Sequence, residues 1–234
     1  MKCSIPKMSS AHFTLFSHRG AGPNPLKVSI LLEKLGLTYT VVPLDFDDKP
    51  ETGVKGTMFL KYNPNGRVPA IVDHEHDDYC VWESGAILLY LTDRYDTEGL
   101  YYGKTPEERG TTAQWLTHQL SGIGPVQGNL HTARNYWEYM YGEKASKADI
   151  TRFEGESHRL YKVLDDQLAI QAKRQSPWIA LDRPSIADFA FYPWVNLSDF
   201  GKLDISQYKN VIKWHAMLAA DKDVKQADLR LSEP

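Results

Sequence analysis

The stretch NPNGRVPAIVDHEHDDYCVWESGAI, Asn63 to Ile87, constrains the fold more than any other part of the chain. It reads as a strand over Val68–Val72, a turn over DHEHDD, a second strand over Tyr79–Trp82, and a helix that opens at Glu83-Ser84. Proline lacks the backbone N–H that a strand interior uses. Pro69 at the head of the first strand therefore implies either a cis turn peptide or an ordinary trans proline on an edge strand. A cis geometry leaves the Val68 backbone able to pair with an extended ligand as though with another strand. At the helix start, unpaired N–H groups and positive potential suit a carboxylate. Ser84 can add a hydroxyl there, or simply cap the helix, and Glu83 can accept from an ammonium beside that carboxylate. An amino acid carries both charges on one carbon.

Upstream, Phe13–Ser17 is a short β-prone run, and a polar glycine-containing loop leads to PLKVSILLEKLG. Asn24-Pro25 signals a helix start, with Asn24 as cap and Pro25 in the first turn, and Gly36 suits the stop. Tyr39–Leu44 reads as a second strand, which Pro43 places at an edge. TMFLKYN suits one or two helical turns. The order strand-helix-strand, irregular helix, strand-strand-helix predicts a small α/β layer on a mixed sheet.

Thr97–Glu108 reads as a linker, and nothing beyond it has strand character. Ile150, Phe153, Ser157, Leu160, Leu164 and Leu168 mark one helical face, and Asn210–Ala220 another helix with Val211, His215 and Leu218 on one side. Ser185-Ile186-Ala187-Asp188 matches a capping box worth roughly 0.5–2 kcal/mol. The helix after it, IADFAFYPWV, is apolar nearly all round and belongs in a core.

Composition narrows the function. The chain has 234 residues and a net charge of −3, which gives no general attraction for nucleic acid or anionic membrane. Two cysteines, Cys3 and Cys80, form no CxxC pair, and a reduced cytoplasmic protein is expected. No run approaches a membrane span. His74-Glu75-His76 would alternate faces if extended, so the turn reads as a solvated loop and no metal is expected.

Taken together, FTLFSHRGAGPNPLKV, NPNGRVPAI, VWESGAILLYL and SIAD resemble the glutathione transferase family. The wording is most similar to the fungal class named after the yeast nitrogen-catabolite regulator, and to bacterial disulfide-reductase relatives. The resemblance implies a thioredoxin-like domain with a mixed four-stranded sheet over 12–97, then an α-helical domain over 107–234 that supplies the electrophile pocket. It implies glutathione as substrate, with Val68 and cis Pro69 pairing its cysteinyl backbone. Glu83 and Ser84 would hold its γ-glutamyl end, and Asn24 would donate to its sulfur. The class commonly places a basic residue on the irregular second helix to hold the glycyl carboxylate. Lys55 stands nearest that place here, with Arg19 and Lys61 as further candidates. Trp115, His118, Gln119, Tyr136 and Tyr139 are candidates for an aromatic-lined electrophile pocket, although packing accounts equally well for Trp115. A homodimer acting on a small hydrophobic or aromatic electrophile, or reducing disulfides or peroxides, is expected. The other reading is a glutathione-binding regulatory or carrier protein with little catalysis.

Overall fold

The computed structural model describes residues 11–20 and 22–233. Cys3 lies outside them. Contacts divide the chain into two compact units, one of residues up to Glu98 together with those from Ala220 onward, the other Gly99–Ala219.

In the first unit, β1 (Phe13–His18), β2 (Tyr39–Leu44), β3 (Ala70–Asp73) and β4 (Tyr79–Trp82) form a sheet of order β2-β1-β3-β4. β1 and β2 are parallel, and the other pairs antiparallel. Pro43 therefore lies on an edge strand, as its missing N–H requires. β3 begins at Ala70 rather than Val68, and the Val68–Pro69 bond is cis. Alternation sends Phe16, Ala70 and Val72 into a cluster with Val54, Phe59 and Tyr62 from the irregular segment, where Phe59–Lys61 makes one 3₁₀ turn. Their neighbours Leu15 and Ile71 face the opposite side, against α1 (Pro23–Lys34) and α2 (Ser84–Tyr95).

The last helix is labelled α9 (Lys222–Ser232), and it packs on α1. The Ser29 hydroxyl donates to the Ala227 carbonyl at 3.1 Å. Lys34 reaches Asp221 at 2.7 Å and Asp223 at 2.9 Å, and Arg230 reaches Glu33 at 2.7 Å. The expected helical domain over 107–234 is thus too long at its C-terminal end, because α9 buries its apolar face on the first unit.

The second unit is helical among the described residues: α3 (Pro106–His118), α4 (Gly124–Asn135), α5 (Trp137–Tyr141), α6 (Lys147–Lys173), α7 (Ile186–Asn196) and α8 (Lys209–Ala220). One π turn, Gln119–Ile123, joins α3 to α4. α7 is buried from Ile186 to Val195, as its composition requires. On α6, Ser157, Leu160, Leu164 and Leu168 face the core. On α8 the buried stripe is Val211, Trp214 and Leu218, while His215 sits partly exposed and stacks on Tyr192 at 4.9 Å.

A buried histidine gives this unit a pH dependence. The Gln127 amide donates to the Trp194 carbonyl at 2.8 Å, and its oxygen accepts from the Tyr161 hydroxyl at 2.9 Å. That orientation also points its N–H at His131 Nε2, 3.2 Å away, so this nitrogen must be an acceptor. Protonation would set donor against donor in a site walled by Trp194 and Phe200. Burial pulls the His131 pKa from 6.5 down to about 4, against a backbone hydrogen bond at Leu197 that favours the charged form. The unfolded chain binds the proton first, so stability from this site is complete above about 6.5 and is lost as pH falls toward 4. Urea unfolding at pH 7.0 and 4.5 is expected to differ by about 2–3 kcal/mol on this account. His131→Gln should remove most of that difference. An unchanged difference would place the acid sensitivity elsewhere.

Candidate functional site

The site assembles at the end of the sheet where β1 leaves for α1. Gly22, in extended conformation, precedes α1, and Pro23 is its first residue. Asn24 is therefore the second helical residue, not the cap expected from the sequence. Pro23 and Pro25 have no N–H, so Asn24 carries the first turn's one backbone donor as well as its own amide. Asn24 is half-buried, and the Leu26 N–H turns back to the Gly22 carbonyl at 3.2 Å.

The upstream residues divide. Ser17 is fully buried in β1, and its hydroxyl has no hydrogen-bond partner among the described residues. His18 stacks on Phe46 with ring centres 3.6 Å apart. Burial holds its pKa below the ordinary value, and the Arg67 charge works the same way.

Asn63 organises the turn that delivers Val68. Its side-chain oxygen accepts from the Asn65 N–H at 2.9 Å, and its amide donates to the Arg67 carbonyl at 2.5 Å. Val68 and Pro69 follow directly. The registered sheet pairs begin only at Ala70, so Val68 stands beyond the ladder. Lys55 leans on the same turn, its ammonium 3.0 Å from the Asn65 carbonyl. Gly66 has φ +61°, and a Cβ there would meet Lys55 Cδ at 2.8 Å. Arg19, by contrast, is paired with Asp45 at 2.7 Å and is largely exposed. Of these two basic residues, Lys55 is the one held on the turn that leads to Val68.

Glu83 has φ +72°, ψ 118°, a backbone conformation unusual for a residue with a Cβ, and it is the cap position of α2. Ser84 is consequently the first helical residue rather than the cap, and its side chain is buried. Beneath this pair lies a residue the sequence reading missed. Lys27, on α1, is 1% exposed, and its ammonium is 3.5 Å from the Ser84 hydroxyl. Burial lowers its pKa from 10.5 to about 7, while the Glu83 carboxylate favours the charged form. The available signal was one cation inside PLKVSILL, a run buried from Pro25 to Leu32.

The histidine-rich turn is tied down rather than solvated. His74 bonds Thr14 at 2.8 Å and Asp78 at 2.6 Å. His12, Asp73 and His76 bring their ligand-type atoms within 4.8 Å of one another. The buried Asp73 carboxylate already accepts from the Tyr90 and Tyr95 hydroxyls and from His76 Nδ1, while Arg94 donates to His76 Nε2 at 2.7 Å. A histidine ligand normally donates its second nitrogen to an acceptor. His76 instead receives an arginine there, which suits a closed hydrogen-bond network better than a metal.

The five candidates for an electrophile pocket do not form one cluster. Trp115 and His118 pack on each other and on Phe191, and Gln119 is buried beside them at the π turn. Tyr136 contacts Phe200, and Tyr139 is 91% exposed.

The mixed four-stranded sheet of the first unit, with the cis Val68–Pro69 bond at the head of β3, is that of a thioredoxin-like domain. Residues 11–93 match the glutathione S-transferase N-terminal domain, and 139–222 its C-terminal domain. Glutathione S-transferase 2 of Schizosaccharomyces pombe is 39% identical over 185 residues, 79% of this chain and 74% of that protein. The Escherichia coli disulfide-bond oxidoreductase YfcG is 34% identical over 212 residues, 89% of this chain and 91% of that one. Among solved structures, Ure2p5 from Phanerochaete chrysosporium, cocrystallized with 1-(S-glutathionyl)-2,4-dinitrobenzene, superposes with a TM-score of 0.80. It is 31% identical, and the match covers 96% of each chain. The chain belongs to the glutathione S-transferase family. Within it, the chain groups with the Ure2p-like transferases and their bacterial disulfide-reductase relatives. No helix among the described residues is long and apolar enough to cross a membrane.

Proposed function

We propose that this protein binds glutathione along Val68–Pro69 and Glu83–Ser84 and activates its sulfur at Asn24. The observation that carries this reading is the juxtaposition, in one unit, of an unladdered Val68, the α2 start with Ser84, and an asparagine in the first turn of α1. The tripeptide's cysteinyl backbone pairs with Val68. Its γ-glutamyl carboxylate takes the N-terminus of α2 and the Ser84 hydroxyl, and Glu83 accepts from its ammonium. Lys55, already set against the Val68 turn, receives the glycyl carboxylate, and Arg19 is the weaker candidate because Asp45 engages it.

The chemistry is nucleophilic attack by the thiolate. The thiol proton leaves to solvent, the sulfur forms a bond to the electrophile, and the leaving group departs. In the reductase variant, the thiolate attacks one sulfur of a disulfide and expels the other as thiolate. The acceptor is a small hydrophobic or aromatic electrophile. We place the protein in the cytoplasm as a homodimer. The solved relative holding a dinitrophenyl conjugate supports conjugation, and the disulfide-bond oxidoreductase relative supports reduction.

Ser84→Ala and Glu83→Ala should each weaken glutathione binding by about 1–3 kcal/mol, since each removes one hydrogen-bonding partner of a charged group. Calorimetric titration measures this. Turnover at saturating glutathione should stay within a few-fold. Unchanged affinity in both variants would remove the γ-glutamyl group from this place.

A further inference from the structure

Lys27 is unusual because a lysine is almost never fully buried unless something requires its charge. Its position follows from α1. Asn24 and Lys27 are three residues apart and so share a face of that helix. That face turns the Lys27 ammonium under the start of α2, 3.5 Å from the Ser84 hydroxyl. Glu83, at the start of α2, is the carboxylate that acts on that ammonium. On α9, Asp221 and Asp223 are engaged by Lys34, and Arg230 by Glu33. On β1, His18 stacks on Phe46.

We propose that Lys27 is a positioning residue of the glutathione site: it orients the Ser84 hydroxyl and, as an ammonium, provides the buried counter-charge for the carboxylate bound at the start of α2. This rests on the reading of Glu83–Ser84 as the γ-glutamyl grip. A carboxylate arriving above Ser84 makes the charged form of Lys27 the favoured one. Binding and proton uptake are therefore coupled, the proton coming from the buffer.

A buried ammonium whose pKa lies near 7 is only partly charged at pH 7.5 before the ligand arrives. The arriving carboxylate completes its protonation.

The experiment is calorimetric titration at pH 7.5 with S-methylglutathione, whose sulfur carries no proton, in two buffers of different ionisation enthalpy. The full-length protein is compared with Lys27→Arg and Lys27→Met. Unaltered protein should take up roughly 0.5–0.8 proton per site. Lys27→Arg, whose guanidinium stays charged, should bind within about tenfold of that affinity with no uptake at all. Lys27→Met should bind at least about tenfold more weakly and also take up none. Equal proton uptake in Lys27→Arg and unaltered protein would overturn the proposal, whether or not Lys27→Met folds. Failure of unaltered protein to bind S-methylglutathione would overturn the glutathione reading itself, which is a different result.

Discussion

Asp188→Ala is expected to lower the unfolding free energy by about 3–5 kcal/mol, well beyond the loss of a simple helix cap. The Asp188 carboxylate is fully buried and accepts four hydrogen bonds. One oxygen takes the Ser185 N–H and the Ser185 hydroxyl, both at 2.9 Å. The other takes the Ile179 N–H at 3.0 Å and the Trp214 indole N–H at 2.9 Å. Burial pushes this carboxyl's pKa up, and those donors oppose it. Alanine would strand three N–H donors in a dry site, each at about 1–3 kcal/mol. Asp188→Asn keeps one acceptor oxygen for Ile179 and Trp214 but turns its own N–H₂ toward Ser185, so it should fall between the two. Urea denaturation and a melting point lower by about 10 °C for Asp188→Ala are the readouts. A loss below 1 kcal/mol would mean that the carboxylate does not tie α7 to α8 and to the Ile179 segment.

That difference of magnitude shows where sequence reading stops. The Ser185–Asp188 spacing was legible because a capping box is local. Ile179 and Trp214 were not, because they reach the carboxylate only after the helices have packed. The same division holds in the first unit. Pro43 marked an edge and Pro69 a special turn, since a missing N–H is a property of one residue. The docking of α9 on α1 depends on Ser29, Glu33 and Lys34 finding partners close to 200 residues away, and no spacing rule encodes that. Lys27 was missed for the related reason that helical periodicity assigns a lysine to the outside. The start of α2, where Ser84 meets its ammonium, is what places this one inside. The start of α1 lies two residues earlier than the sequence suggests, because Pro23 and Pro25 are both tolerated in a first turn, where N–H groups are not needed. The correction matters for chemistry, since it moves Asn24 off capping duty.

Asn24→Ala should slow turnover at pH 7 by about 3- to 25-fold while leaving the glutathione dissociation constant within about fivefold. An ordinary cysteine thiol, with a pKa near 8.5, is only about 3% ionised at pH 7. Lowering it by ~2 units makes it roughly three-quarters thiolate, at about 2.7 kcal/mol of differential stabilisation. The start of α1 supplies positive potential worth roughly 0.3–1 kcal/mol, and a hydrogen bond from the Asn24 amide to the charged sulfur about 1.5–3 kcal/mol. Together they cover the requirement without a buried base. Removing the amide removes the larger part, and the helix terminus remains. The bound thiol's ionisation, followed by thiolate absorbance against pH, should therefore move up by about 1–2 units. Ser84→Ala should do the reverse, weakening binding with little change in that titration. If Asn24→Ala leaves both turnover and the thiol titration where they were, the sulfur is activated elsewhere, and the division between a tripeptide grip at α2 and a reactive centre at α1 fails.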